Sequence, residues 1–286
     1  MPDNESAMPH LKVSLIIAFY KDLEALDLIF NALRLQTYKN FQVVVAEDND
    51  SPDTKAFLTK QTGLDIAHVY HPDIGRTKAA AQNKAVCAST GDYLIFIDGD
   101  CIPYSTFIEG HIVFSAPKRV MSGRRVNVPE KLSQQLRQRT LSSLELEKHY
   151  LWYSLRDLMW EKGSHYEQGF YFNPGGFFYN NIMSMKPRNL QILGCNFSCY
   201  KQDFIAINGF DESYGLSFLG DDTDLNWRFV DYGAALMSCK NIANTFHLHH
   251  ERPKPKYDPS EDVRRFNKRK AERKYFCEQG INQYCK

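Results

Sequence analysis

The chain has 286 residues, 43% of them hydrophobic, enough to bury one large core or two small ones. Its 35 basic and 34 acidic side chains leave a formal charge of +1, so no global field directs it towards nucleic acid. No apolar run reaches membrane-spanning length and the N-terminus is polar, so a disordered segment over residues 1–11 and a cytoplasmic location are expected.

Residues 12–18, with Val13-Ser-Leu-Ile-Ile17, read as a first strand buried on both faces, and Phe19, Tyr20 and Lys21 as the loop at its carboxyl end. Asp22 is placed as the N-cap of a helix running to Gln36, with Leu23, Leu26, Ile29, Phe30 and Leu33 at helical spacing. A second strand over 41–46 closes in Glu47-Asp-Asn-Asp-Ser-Pro52. A helix over 53–62, a third strand over 66–70 and an alanine-rich helix over 77–89 follow. Residues 93–97 form a fourth buried strand that ends in Asp98-Gly99-Asp100. Strands alternating with helices make a βαβ series, hence an α/β fold with a mostly parallel sheet and right-handed crossovers.

Ligands of such sheets bind outside the carboxyl ends of the strands. There the sequence gathers Phe19 and Tyr20, then Glu47 and Asp48, then the stretch up to Arg76, then Asp98-Gly99-Asp100. Carboxylates at the second strand end suit the N–H groups of a base or the hydroxyls of a ribose, and Arg76 suits phosphate. Asp98 and Asp100 can share one hard cation, Mg2+ or Mn2+, that also binds phosphate. Each feature has an ordinary reading beside it. Asp-Gly-Asp is also a polar turn, and Glu47 and Asp48 also cap a helix. The agreement of four strand ends favours a nucleotide. Neither Gly-x-Gly-x-x-Gly nor Gly-x-x-x-x-Gly-Lys-Ser/Thr occurs, so a dinucleotide fold and a P-loop are not supported.

Further on, residues 130–160 carry Leu141, Leu144, Tyr150, Leu151 and Leu158 at helical spacing, one or two helices. Residues 169–181 set aromatics among glycines, where plain core and a mobile lid or stacking platform stay equally open. Asp221, Asp222 and Asp224 stand at a helix start, where simple capping accounts for one of them. A last strand over 243–246 leads into His247, His249 and His250. The seven cysteines, odd in number and without metal-ligand spacing, form no disulfide framework, and Cys195 and Cys199 read as reduced thiols. Beyond Arg252 a basic amphipathic segment with Val263, Phe266 and Tyr275 reads as a solvated helix face or as a contact with an anionic membrane leaflet.

Residues 13–20, the Glu47-Asp48 turn, Asp73-x-Gly75-Arg76, Asn83 and Gly91-Asp-Tyr-x-x-Phe-x-Asp98-Gly-Asp100 together resemble family 2 glycosyltransferases of the GT-A fold. The likeness resumes at Gly194-Cys-Asn196 and Asn208-Gly-Phe-Asp211, and is to bacterial enzymes of lipopolysaccharide and capsule synthesis, chondroitin-polymerase-like ones included. The resemblance implies a domain over 12–251, with a nucleotide-sugar half (12–104), an insertion (124–192) and an acceptor half (194–251), before a basic tail (252–286). It implies a UDP-sugar held by Ala18, Phe19, Tyr20, Glu47, Asp48, Arg76, Asn83, Asp98, Gly99 and Asp221. Mn2+ or Mg2+ would sit on Asp98, Asp100 and either His247 or His250. Asp222 would be the general base in an inverting transfer of a hexose or N-acetylhexosamine to a glycan or glycolipid. Aspartate stands at Asp221 where the family has glutamate, and Ser217-Phe-Leu-Gly220 replaces a Trp-Gly element, so specificity does not carry over. Two rivals remain. A sugar-phosphate nucleotidyltransferase would want a glycine-rich basic loop after the first strand, which Phe19-Tyr-Lys-Asp22 is not. Intact Asp98, Asp100 and Asp222 argue against a non-catalytic nucleotide-sugar binder or assembly subunit, which only turnover would exclude.

Overall fold

A computed structural model describes residues 10–73, 75, 77–177, 179, 181, 190–215, 217–220, 222–251 and 258–285. Arg76, Asp221 and most of the expected N-terminal segment lie outside the described residues. The apolar runs form β1 (Val13–Phe19), β2 (Phe41–Glu47), β3 (Ile66–Tyr70) and β4 (Tyr93–Asp98). They lie parallel in the order β3-β2-β1-β4, joined by α1 (Leu23–Arg34), α2 (Pro52–Leu58) and α3 (Lys78–Ala88). The unbroken apolar pattern of β1 has its cause in two cores. Val13, Leu15 and Ile17 join one with the buried stripe of α1, and Ile16 joins the other with Ala81 and Ala85 of α3. The Asp22 carboxylate accepts the Ala25 N–H and caps α1 as expected. α2 stops at Leu58, short of the expected 62, and the chain then turns through Gly63 at φ +76°.

After β4 the chain leaves the main sheet as β5 (Cys101–Pro103), then forms α4 (Phe107–Ile112), β6 (Arg119–Ser122) and β7 (Arg124–Asn127). The helical stretch expected over 130–160 is divided into α5 (Glu130–Arg137), α6 (Ser143–Lys148), α7 (Tyr150–Tyr153) and a π-helical turn, Ser154–Leu158. Arg139 takes φ 59° and ends the first piece, and Ser142 caps the second by accepting the Glu145 N–H. Then come β8 (Asn196–Tyr200), α8 (Lys201–Ala206), α9 (Asp222–Asp231), β9 (Ala235–Ser238), β10 (Asn244–His247) and α10 (Ser260–Ala271). The main sheet has seven strands in the order β3-β2-β1-β4-β8-β6-β9, with β8 antiparallel to both neighbours. A second sheet, β5-β10-β7, sets His247 opposite Cys101 and beside Asn127. That register brings the carboxyl ends of β4 and β10 together.

The C-terminal segment is not a loose tail. Phe266 of α10 meets Trp227 of α9 edge-on at 6.2 Å, and the Asn208 side chain donates to the Cys277 carbonyl at 2.6 Å. Arg228, fully buried, donates to the carbonyls of Gly209 and Tyr275 at 2.8 and 2.7 Å. Cys87 at the last turn of α3 forms a disulfide with Cys285, a bridge that the expectation of no disulfide framework did not provide for. Cys195 and Cys199 are unbridged and buried. Among the described residues no helix is long and apolar enough to cross a membrane. In the aromatic stretch, Phe170 and Tyr179 pack against Tyr150 and Phe114, while Phe177 is exposed.

Candidate active site

A cavity of about 630 Å³ opens over the carboxyl ends of β1, β2 and β4. Ala18, Phe19 and Tyr20 come to it from β1, Asp48 from β2, and Asp98, Gly99 and Asp100 from β4. Gly99 is required by closeness: a Cβ there would lie 2.9 Å from the Ala18 carbonyl, so glycine lets the Asp-Gly-Asp turn pass against β1. Asp48 accepts the backbone N–H of Thr77 at 3.0 Å and the Thr77 hydroxyl, which fixes the start of α3. One residue on, Lys78 Nζ reaches Asp98 Oδ1 at 2.5 Å. Lys78 is thus a cation of the cleft on a position the sequence reading passed over in favour of Arg76. Its signal was its place, a basic residue in the first turn of a helix that follows a strand end.

Asp100 keeps different company. Its Oδ2 lies 3.4 Å from His247 Nε2 and 3.2 Å from His250 Nε2, and one donor atom from each of the three falls within 4.8 Å of the others. The Leu248 N–H donates to the Asp100 carbonyl at 2.9 Å, which locks the two strand ends together. Burial pushes the Asp100 carboxyl up, but the hydrogen bonds and charges of His247 and His250 outweigh it and hold its pKa well below the carboxylate range. His247 is buried behind the turn and His250 lines the cavity. Both histidines, left as alternatives by the sequence, stand in one cluster. Asp98 stands outside it, because it is paired with Lys78. One carboxylate oxygen and two imidazole nitrogens are a donor set that fits a divalent transition ion.

Two expected nucleotide ligands are turned away from the cavity. Glu47 is fully buried, accepts the Thr54 hydroxyl at 2.6 Å and meets His68 Nε2 at 2.8 Å, so it binds α2 and β3 to the end of β2. Asn83 is also fully buried. Its amide donates to the Phe210 carbonyl and to Glu212, and its oxygen accepts the Phe210 N–H, all between 2.8 and 2.9 Å. It joins α3 to the 208–212 turn. These are corrections with one cause: a polar side chain just beyond a strand end or inside a helix satisfies buried backbone as readily as a ligand. The cavity is also lined by Arg137 of α5, which the sequence reading missed and which reaches Asp22 at 2.6 Å. Asp73 of the lining is paired with Lys21 at 2.7 Å.

Asp222, the first residue of α9, lines a second cavity of about 530 Å³ with Arg124, Arg125, Trp227, Phe266 and Lys270. Its carboxylate accepts the Gly194 N–H at 3.2 Å. Arg125 lines the same cavity, its guanidinium 3.2 Å from Cys195 Sγ. Burial works against the Arg125 charge, and the sulfurs of Cys195 and Cys101, with the Asp98 carboxylate, outweigh it and raise its pKa. Asp224 does the structural work expected of one member of this cluster. It is buried, pairs with Arg228 at 3.1 Å and accepts from the Tyr214 hydroxyl and the Trp227 indole. Among the described residues, none of the aromatics from 169 to 181 lines either cavity.

The sequence profile described as glycosyl transferase family 2 matches residues 14–173, and that described as the N-terminal domain of galactosyltransferase matches residues 180–251. The glycosyltransferase AglE of Haloferax volcanii is 34% identical over 100 residues, 34% of this chain and 33% of that protein. The Escherichia coli UDP-Glc:alpha-D-GlcNAc-diphosphoundecaprenol beta-1,3-glucosyltransferase WfaP is 28% identical over 108 residues, 38% of this chain and 43% of that one. The chain thus spans well under half the length of either curated relative. Among solved structures, the Pyrobaculum calidifontis mannosyltransferase PcManGT with GDP-Man and Mn2+ superposes with a TM-score of 0.53 at 15% identity, covering 89% of this chain and 61% of that one. GalNAc-T7 with UDP, GalNAc and Mn2+ gives 0.61 at 14%, covering 90% and 48%. At that identity the likeness is one of fold, the GT-A α/β arrangement with a mostly parallel sheet.

Proposed function

The chain belongs to glycosyl transferase family 2, and on that premise we propose that it moves a sugar from a UDP-sugar to a hydroxyl of a glycan or glycolipid acceptor, with inversion. The observation that carries this reading is the Asp100, His247 and His250 cluster at the rim of the strand-end cavity, beside the Lys78–Asp98 pair. Those three residues would hold a divalent cation, and two imidazoles with one carboxylate suit Mn2+ better than Mg2+, which prefers oxygen alone. When bound, such an ion supplies positive charge beside the donor diphosphate. Two structural neighbours were solved with a nucleotide or nucleotide-sugar and Mn2+, and WfaP is named for a UDP-sugar and a lipid-linked acceptor, which supports this chemistry.

The chain's own residues do the rest. Lys78 exchanges part of its bond with Asp98 for the diphosphate oxygens and stabilises the charge left on the departing nucleotide. Tyr20, half-exposed at the end of β1, offers its ring to the base, and Asp48 stands at the same wall for the nucleoside. Asp222 accepts the proton of the acceptor hydroxyl as that oxygen attacks the anomeric carbon. The bond from that carbon to the diphosphate oxygen breaks, UDP leaves with the electron pair, and one displacement inverts the centre. Arg76 and Asp221 belong to the proposed donor site by sequence only. A surface polysaccharide is the acceptor context the resemblance favours, and the exposed Arg264 and Lys268 of α10 suit contact with an anionic leaflet.

Slow transfer to water tests this without a known acceptor. A panel of UDP-sugars with Mn2+, followed by proton NMR, is expected to show one donor cleaved, with the β anomer of the sugar appearing first from an α-linked donor. Asp222→Asn should lower the rate by roughly two to four orders of magnitude while UDP still binds. Initial release of the α anomer, or an Asp222→Asn variant of undiminished rate, would overturn the assignment.

A further inference from the structure

The two cavities carry opposite charge. Among the described residues, the strand-end cavity is lined by the carboxylates of Asp22, Asp48, Asp73, Asp98 and Asp100 against the cations Lys78 and Arg137. The cavity of Asp222 is lined by Arg124, Arg125 and Lys270 against that one carboxylate. The first therefore suits an anionic nucleotide together with a divalent cation. The second attracts an anion by itself, since cations gathered in a cleft focus their field there.

We propose that the second cavity receives an acceptor glycan that itself carries an anionic group, a phosphate or a carboxylate, near the hydroxyl it presents to Asp222. The proposal rests on the reading of Asp222 as the base and adds the class of acceptor. Arg124 is held in place for such a contact: its guanidinium donates to the Ser122 hydroxyl at 2.8 Å and to the Gln191 carbonyl at 3.1 Å. An oriented guanidinium loses less freedom when an oxyanion meets its charge. Lys270 approaches from the other wall, its ammonium 5.8 Å from the Phe266 ring centroid. Phe266 and Trp227, edge-to-face in the same lining, give an apolar surface for a sugar ring. The basic C-terminal helix thereby gains a role inside the molecule. It supplies one wall of the acceptor cavity.

Calorimetry on the full chain saturated with UDP and Mn2+, so that the donor cleft is filled, tests this with three probes: glucose 1-phosphate, glucuronate and methyl glucoside. At least one anion is expected to bind about tenfold or more tightly than the neutral glycoside. Phosphate ahead of carboxylate would identify a phosphorylated acceptor, and the reverse a uronic acid. Lys270→Gln, on an exposed helix position that does not threaten folding, and Arg124→Gln should each weaken the anion about tenfold and leave UDP binding as it was. Equal binding of anion and neutral glycoside, anion binding indifferent to both substitutions, or no binding of any probe while UDP still binds would overturn the proposal and leave the donor reading standing. Failure of UDP itself to bind would instead overturn the reading beneath it.

Discussion

Asp98 and Asp100 differ by one residue in sequence and entirely in company. Asp98 is bonded to a lysine that arrives from the next helix back, and Asp100 to two histidines, one at the end of β10 and one just beyond it, more than a hundred residues later. A spacing pattern shows that both carboxylates reach the cavity, but not which one meets a cation of the chain and which a cluster of imidazoles. Another histidine illustrates the same limit. His111 is fully buried in α4, with Nδ1 2.8 Å from Ser198 Oγ and Nε2 2.9 Å from Asn196 Oδ1, and burial lowers its pKa to about 3. Unfolded, it titrates near the ordinary value of about 6.5. Between those values the unfolded chain binds the extra proton, so stability present above pH 6.5 falls as the pH drops, by up to ~1.4 kcal/mol per unit from this residue. Urea midpoints measured from pH 7 to pH 4 should fall more steeply for the wild type than for His111→Gln. Parallel curves would show that His111 is not buried neutral.

At the scale of elements, α3 connects the cleft to the far end of the chain. Its first turn carries Lys78 into the cavity, and its last turn carries Cys87 into the bridge with Cys285. The bridge closes a loop across a separation of 198 residues, so its loss should destabilise the fold by roughly 2–4 kcal/mol. Alkylation of the denatured protein, read by mass, should label five cysteines without reductant and all seven after it, and reduction should lower the urea midpoint. Seven labels without reductant would remove the bridge from the account. None of this was legible in an odd cysteine count, because the partners are brought together only by the docking of the C-terminal segment. That docking depends on Arg228, which binds Asp224, Gly209 and Tyr275 at once. In sequence it is one arginine on an amphipathic helix. The four parallel strands, in contrast, were readable from their apolar runs, since local pattern and burial on both faces agree there.

For the whole molecule, a net charge of +1 conceals a division between an acidic cavity and a basic one. The segment 124–192 takes part in both, sending Arg137 to the first and Arg124 and Arg125 to the second. Its composition gave no hint of this, because the helices that carry or follow these residues are placed by long-range packing. The acidic strand-end cavity is central to the proposed donor reading, on which an anionic nucleotide would enter favourably only with a divalent cation on Asp100, His247 and His250. The most direct measurement is a calorimetric titration of UDP into the wild type and into Asp100→Ala, each with Mn2+ and with a chelator. The account predicts binding to the wild type with Mn2+, and binding at least about tenfold weaker on chelation or in Asp100→Ala. UDP bound equally well without metal, or unaffected by Asp100→Ala, would contradict it.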